Sequence, residues 1–245
     1  MVPSLLKITE GREVLDFLDD EVRENILQAD YSDVVAEVAS LESEAKVSLL
    51  TVCVSSLIGP QSIESEAASI AAVRVLVALL PLSLGAITNL LNRFQNWDNY
   101  EVHFTLFCYL DWVQKMPDAP SLTRKILPLV ENYLMTVPRK DARAVWMAGD
   151  MLGGHWDEQE AIPLLIRTSQ GAKYSVGRMG GLVGLKEVLD RLPPKSDAHK
   201  DILKTLRKIS ISDSSKYVKE DAKLLLRHWR KLEKMTQVLP DDDVS

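Results

Sequence analysis

The chain has 245 residues and a net charge of −6, with 46% hydrophobic, 26% charged and 6% aromatic residues. This composition is typical of a folded globular protein and excludes a largely disordered chain. The two cysteines lie far apart in apolar runs, and none of the asparagines begins an Asn-x-Ser/Thr sequon. We therefore expect a cytoplasmic protein without structural disulfides.

Helical periodicity runs through the whole chain. Apolar residues recur every three or four positions, and no segment alternates with period two for long enough to form a half-buried strand. Turn-forming residues interrupt this pattern at Gly59-Pro60, Pro81, Asn96 to Asn99, Pro117 to Pro120, Pro138, Gly153-Gly154, Gly171 and Pro193-Pro194. The segments between them have the length of ordinary helices, so we predict an all-α fold of roughly a dozen helices joined by short turns.

One segment resembles a membrane span. Residues 75–91 carry no charge, which approaches the roughly 20 apolar residues that cross a bilayer. However, Pro81 lies near the middle of this segment and Ser83, Thr88 and Asn89 make it partly polar. Since proline breaks a helix interior, two buried helices that meet at Pro81 explain the segment better. We therefore expect no membrane as a partner.

Small residues return at fixed offsets along the chain. From Ala144, the offsets of 4, 5 and 9 hold Ala148, Gly149 and Gly153. Similar patterns begin at positions 176 and 218, and a bulkier one begins at 102, so the intervals are 42, 32 and 42 residues. This spread is typical of helical repeats with variable turns.

Residues 139–171, RKDARAVWMAGDMLGGHWDEQEAIPLLIRTSQG, resemble a HEAT repeat. The first helix carries the small-residue stripe of that family and ends at Leu152-Gly153, and the second opens around Glu160. KYSVGRMGGLVGLKEVLDRL and SSKYVKEDAKLLLRHW are similar to it. The resemblance implies an α-α superhelix, a solenoid of antiparallel helix pairs. It would form one domain over residues 1–235, with divergent helices in 1–60, followed by an acidic, disordered tail in 236–245.

Small residues in such a stack mark close approach between helices. Ala148 is predicted to lie where a larger side chain would push two layers apart. The glycines at positions 177, 180, 181 and 184 lower helix propensity, each by about 1 kcal/mol relative to alanine. Close helix packing is the favoured explanation, and a flexible or ligand-approaching helix is the alternative. Cys108 is interpreted as a core residue, and Trp112 and Trp146 as anchors between repeats.

No catalytic or metal-binding motif is present in the sequence. The four histidines are widely separated, and the chain lacks phosphate-binding, dinucleotide-binding and nucleophile-elbow motifs. We therefore expect no enzyme activity, no metal and no cofactor. Two other classes of HEAT-like protein stay open. An alkylpurine DNA glycosylase would use Asp111 with Trp112, or Asp150 with Trp146, and a bilin lyase-like chaperone matches the length and acidity of the chain.

Charge is distributed unevenly along the chain. Residues 1–66 contain 4 Lys plus Arg against 14 Asp plus Glu, net −10, whereas residues 195–234 contain 12 against 6, net +6. A basic C-terminal end favours an acidic protein partner. Nucleic acid is the alternative partner, although a net charge of −6 for the whole chain disfavours it.

These observations predict a non-catalytic binding scaffold. Its partner would lie on the face formed by the second helix of each repeat, assigned to residues 82–94, 121–134, 158–169 and 197–209. His155 and Trp156 follow a glycine turn, where Trp156 either contacts a partner or folds back over the turn. The candidate contact residues are Asn89, Arg93, Arg124, Lys125, Glu131, His155, Trp156, Glu160, Arg167, Lys200, Lys204, Arg207, Lys219 and Lys223. The sequence leaves the oligomeric state open.

Overall fold

The computed structural model describes residues 20–58, 63–93, 100–137, 142–194 and 196–236. Within these ranges all regular structure is helical, which confirms the all-α prediction. The twelve α-helices found there are α1 Asp20–Gln28, α2 Tyr31–Ser40, α3 Ser43–Ile58, α4 Ile63–Ala78, α5 Leu84–Arg93, α6 Tyr100–Leu110, α7 Ala119–Thr136, α8 Ala142–Gly154, α9 Glu158–Gly171, α10 Ser175–Arg191, α11 Asp197–Ser212 and α12 Lys216–Thr236. A short 3₁₀-helix, Asp111–Lys115, follows α6. The predicted tail lies outside the described residues from position 237 onward.

The chain divides into two compact units. The first is Met1–Leu129 and the second is Val130–Ser245, so that α7 contributes residues to both. The single solenoid domain inferred from the sequence stays a prediction.

In the first unit, α4 packs against α1, α2, α3 and α6. Arg74 of α4 is buried, and its guanidinium donates hydrogen bonds to the carbonyl oxygens of Ile26, Leu27 (2.8 Å) and Ala29 (2.7 Å). It also lies over the Tyr31 ring. Because the carbonyls at the C-terminal end of a helix lack partners within that helix and attract cations, Arg74 fastens the end of α1 to α4.

The apolar segment around Pro81 forms two helices, as predicted. The first, α4, ends at Ala78, and α5 begins at Leu84. The hydroxyl of Ser83 donates to the carbonyl of Leu76, which satisfies a buried polar group in the turn. In the part of the chain that the structure describes, no helix has both the length and the hydropathy of a membrane span.

In the second unit, α10 packs against α8, α9 and α12, and α11 packs against α9 and α12. Two glycine pairs join α8 to α10. A Cβ on Gly149 or Gly153 would overlap the backbone of Gly180 or Gly184 respectively. Both pairs ascend in sequence, so α8 and α10 run in the same direction. Stacked helix hairpins place alternate helices in this way, although the superhelix itself stays a prediction.

The other glycines of α10 have the same role. A Cβ on Gly181 would lie 2.6 Å from the amide nitrogen of Ser169 in α9, and one on Gly177 would overlap the carbonyl oxygen of Leu134 at the end of α7. The structure therefore confirms close helix packing as the reason for the glycine-rich sequence. Larger side chains at these positions would separate the helices.

A buried ion pair ties α10 to the turns on either side of it. The guanidinium of Arg178 donates to both carboxylate oxygens of Asp213, at 2.8 and 3.1 Å, and to the carbonyl of Ala172 at 2.8 Å. Asp213 also accepts from the backbone amide of Ser215 at 2.7 Å. This bidentate pair links α10 to the turn before it and to the turn between α11 and α12.

Candidate functional site

The second-helix assignments correspond to α5, α7, α9 and α11, with boundaries that differ by a few residues. The candidates Asn89, Arg93, Arg124 and Lys125 belong to the first unit, and the others belong to the second. No single surface within one unit therefore contains the whole predicted set. Of these residues, Arg93 has a side chain outside the described part of the structure.

Asn89 lies in an uncharged, mostly apolar groove of the first unit. The groove has a volume of about 360 Å³ and is lined by residues of α3 and α5, namely Leu50, Thr51, Val54, Ser55, Ala86, Asn89 and Leu90. The hydroxyls of Thr51 and Ser55 donate to carbonyls one turn earlier in α3, at 3.0 and 2.9 Å. These walls carry no charge. Arg124 and Lys125 are exposed on α7.

The turn after α8 settles the orientation of Trp156. Its side chain is 1% exposed, so the ring folds back into the protein and is not a surface contact. Arg191 of α10 covers this turn and donates to the carbonyl of Gly153 at 3.0 and 2.7 Å. His155 is exposed. The prediction of Trp156 as a partner contact is therefore wrong, because the space beneath the turn accommodates the ring.

Several predicted contact residues in the second unit already have partners. Arg167 of α9 forms a bidentate ion pair with Glu131 of α7, at 2.7 and 3.0 Å, and this hydrogen-bonded carboxylate holds the pKa of Arg167 above its usual range. Lys200 pairs with an aspartate, and Lys223 with a glutamate, one turn away. A partner protein would have to compete for these four residues. Glu160 is exposed on α9.

The helices α11 and α12 also carry cationic side chains that have no bonded partner among the described residues. The side chains of Lys204, Arg207, Lys216, Lys219, Arg227 and Arg230 form no hydrogen bond or ion pair within the described part of the chain, although the charges of Lys216 and Arg227 act on nearby Glu220. Two exposed apolar side chains flank the turn between α11 and α12 in sequence, Ile211 at the end of α11 and Tyr217 at the start of α12. Ile211 is 78% exposed and Tyr217 is 75% exposed. We call these eight residues the basic surface.

A second exposed feature, the α10–α12 groove, was not predicted from the sequence. It has a volume of about 320 Å³ and is lined by Met179, Leu182, Val183, Lys186, Asp221, Leu224, Leu225 and His228. Leu224 is 57% exposed. The sequence contains one signal for it, the run Leu224-Leu225-Leu226. Three consecutive helical residues span about 200° of the helix surface, so a single buried face cannot cover all of them.

Carboxylates border this groove. Lys186 donates to Glu187 at 2.8 Å and to Asp190 at 2.9 Å. Burial, and then the charge of Glu187, raise the pKa of Asp150 on α8, and burial raises the pKa of Asp221. Asp221 has no hydrogen bond or ion pair within the described residues. The carboxylate of Asp221 is thus partly shielded from water, and no bonded cation compensates for the lost solvation.

Trp146 of α8 is 50% exposed, which contradicts its prediction as an anchor between repeats. It precedes Asp150 by one turn of α8. The close α8–α10 contact is formed by glycines and leaves no space for a tryptophan. In the first unit, Trp112 packs edge-on against Tyr31, with ring centroids 5.0 Å apart.

Asp111 and Asp150 are the two aspartates considered for catalysis. Asp150 has Glu187 as a like-charged neighbour, and this negative charge is unfavourable for the phosphates of DNA. In the described ranges, no group of three or more His, Cys, Asp or Glu residues could hold a metal ion. Cys53 is buried, which raises the pKa of its thiol. Cys108, interpreted from the sequence as a core residue, is partly exposed.

No protein-family model, curated protein or solved structure matches this chain. The two exposed features of the second unit, the basic surface and the α10–α12 groove, are therefore assigned from the chemistry of their own residues.

Proposed function

We propose that the chain is a non-catalytic, HEAT-like scaffold that binds an acidic protein through the basic surface. The observation that carries this proposal is the combination of six unpaired cations with the exposed side chains of Ile211 and Tyr217. Large apolar side chains surrounded by polar groups mark protein-binding surfaces. Tyrosine is also enriched among the residues that dominate binding energy.

The cations determine the class of partner. A lysine or arginine without an internal ion pair can approach a carboxylate of another protein without first breaking a bond. Such charges accelerate association with an acidic surface and select against basic partners. Ile211 and Tyr217 would then provide the apolar contact at the turn between α11 and α12. These features favour an acidic protein segment with at least one apolar side chain.

Acidic residues on the same two helices disfavour nucleic acid as the partner. Asp197 and Asp201 lie on α11, and Glu220 and Asp221 lie on α12. A phosphate backbone carries a charge on every nucleotide and would approach these carboxylates as well as the cations, whereas the carboxylates of a protein can be spaced to meet the cations alone. The whole chain also has a net charge of −6, whereas nucleic-acid-binding domains are usually basic.

The test compares two charge reversals of equal size. Lys204→Glu with Arg207→Glu alters the basic surface, and Arg124→Glu with Lys125→Glu alters α7 in the first unit. Each immobilised protein is used to capture proteins from cell extract at 0.1 M and 1 M salt, and the captured proteins are identified by mass spectrometry. We expect the parent and the Arg124/Lys125 variant to capture the same acidic protein at low salt, and the Lys204/Arg207 variant to lose it.

Two results would contradict this proposal. A Lys204/Arg207 variant that captures the acidic protein as well as the parent does would exclude the basic surface as the binding site. Retention of the parent on a duplex DNA column at 0.1 M salt, lost in the same variant, would assign the surface to nucleic acid. High salt should weaken capture of the acidic protein, because the Debye length falls to about 3 Å at 1 M.

A further inference from the structure

On each wall of the α10–α12 groove, the lining residues recur at the intervals that are found where one helix packs against another. The lining residues of α10 are Met179, Leu182, Val183 and Lys186, and those of α12 are Asp221, Leu224, Leu225 and His228. Both sets follow the positions i, i+3, i+4 and i+7. This pattern aligns side chains along one side of a helix. The groove is therefore bordered by two helical stripes, which is the arrangement that receives a third helix.

The centre of the groove is aliphatic and incompletely covered. Five aliphatic side chains line it, and Leu224 remains more than half exposed. A helix that inserts one leucine-sized side chain between Val183 and Leu224 would remove apolar surface from water on both walls. Burial of such a side chain is worth about 1.5–3 kcal/mol.

The charges around the groove determine which helix fits. Lys186 is already bonded to Glu187 and Asp190, whereas Asp221 has no bonded cation within the described residues. Asp150 adds a further carboxylate near Glu187. Burial raises the pKa of Asp221, for which no compensating cation is found among the described residues, and it raises the pKa of Asp150 despite the nearby charges of His155 and Lys186. A nearby cation would relieve this penalty.

We infer that the α10–α12 groove binds a cationic amphipathic helix of a partner protein. The apolar stripe of that helix contacts Met179, Val183 and Leu224, and its lysines or arginines reach Asp221 and the carboxylates of α8 and α10. The lining residues of this site are not among the eight of the basic surface, although Tyr217 lies one turn before Asp221 on α12, and the site has the opposite charge preference. The inference therefore stands or falls independently of the proposed binding of an acidic protein.

The probe is a pair of fluorescein-labelled synthetic peptides of 18 residues, a length of about 27 Å as a helix. Both have leucine at helical positions i, i+3, i+4 and i+7 of successive turns. One carries lysine at the polar positions and the other carries glutamate. Fluorescence anisotropy of each peptide against the full-length protein gives the dissociation constant. We expect saturable binding of the lysine peptide and no measurable binding of the glutamate peptide.

Two matched pairs of variants locate the binding. Asp221→Lys changes the groove, and Asp201→Lys makes the same charge change on the exposed side of α11. Leu224→Ser removes an exposed aliphatic side chain from the groove, and Ile211→Ser removes one from the basic surface. We expect each groove variant to weaken binding of the lysine peptide about tenfold or more, the range of a close charge pair or a buried anchor residue. The two control variants should change it less than about twofold.

Circular dichroism establishes that all four variants keep the helical content and melting temperature of the parent. Equal weakening by Asp221→Lys and Asp201→Lys would show non-specific attraction to an acidic protein and would overturn the inference. The same conclusion would follow from a lysine peptide that does not bind, from a glutamate peptide that binds equally well, or from Leu224→Ser without effect.

Discussion

In the second unit, α10 packs closely against α8 on one side and loosely against α12 on the other. Toward α8, four glycines bring the two backbones into direct contact, so that no side chain could be added at Gly149 or Gly153 without moving a helix. Toward α12, aliphatic side chains hold the helices apart and leave a groove of about 320 Å³. Side-chain size therefore decides which contact closes into core and which remains available to a partner.

This difference also separates residues that stabilise the fold from residues that are available for binding. The closed contact contains Gly149 and Gly153, both buried. The open groove contains Leu224, which is largely exposed, and Asp221, which is unpaired within the described residues. Substitutions at the first set should change unfolding, and substitutions at the second should change binding.

The largest expected effect on stability comes from the ion pair that holds α10 against the turn before α12. Asp213→Ala leaves the guanidinium of Arg178 buried without its carboxylate. Loss of one partner of a buried pair costs about 3–5 kcal/mol of unfolding free energy. Urea unfolding measures the change, with Asp201→Ala as an exposed control on α11, for which we expect less than about 0.5 kcal/mol. If Asp213→Ala and Asp201→Ala both changed the unfolding free energy by the same small amount, the Arg178–Asp213 ion pair would not be stabilising the fold.

Two adjacent glycines at the end of α8 test the closed contact. A Cβ on Gly153 would overlap the backbone of Gly184, whereas one on Gly154 would meet nothing within 4 Å. We expect Gly153→Ala to lower the unfolding free energy by about 1–3 kcal/mol through overpacking. Gly154→Ala should leave it unchanged or raise it by up to about 1 kcal/mol, because alanine favours the helix. Thermal unfolding of both variants provides the comparison, and equal melting temperatures would contradict the close contact.

The contribution of Asp221, in the open groove, to the stability of the fold should depend on pH. Burial raises the pKa of Asp221 above its model-compound value of 3.8. The folded state therefore disfavours the charged carboxylate at neutral pH, and this penalty disappears as the pH falls through the folded-state pKa. Asp221→Asn should consequently melt at a higher temperature than the parent at pH 7, and the difference should shrink toward pH 4. A difference in melting temperature that grows as the pH falls would contradict this prediction.

The smallest effect on stability is expected from the basic surface. Lys204 and Arg207 are exposed and have no bonded partner within the described residues. Exposed charges contribute about 0–1 kcal/mol to stability. Lys204→Glu with Arg207→Glu should therefore keep the melting temperature of the parent to within a few degrees. A large decrease would mean that these side chains support the fold.

Part of this architecture could be predicted from local sequence. Pro81 separates two helices because proline lacks a backbone N–H and disfavours a helix interior, and Gly149 and Gly180 mark a close contact because their offsets repeat. By contrast, the exposure of Trp146 depends on which helix packs against α8. The periodicity of apolar residues along α8 alone does not identify that helix. The Arg178–Asp213 pair is equally non-local, since its members lie on different helices.

The candidate site was less predictable than the fold for the same reason. The basic residues of α11 and α12 were recognised from charge alone, but Lys200 and Lys223 prove to be paired within their own helices. Whether a lysine is free depends on the rotamer and on the residue one turn away. The run of three leucines at 224–226 indicated an exposed side chain, but the α10 wall that turns it into a groove comes from residues 179–186.

Solvent accessibility of individual methyl groups tests the contrast between the two sides of α10 most directly. A soluble paramagnetic agent is added to the methyl-labelled protein, and the relaxation enhancement of each methyl signal is measured by NMR. We expect strong enhancement for Leu224 and Val183 in the groove, and little for Val145 and Leu152 beneath the α8–α10 contact, because the latter two are fully buried. Similar protection of all four residues would show that the groove is closed and would contradict its assignment as a binding surface.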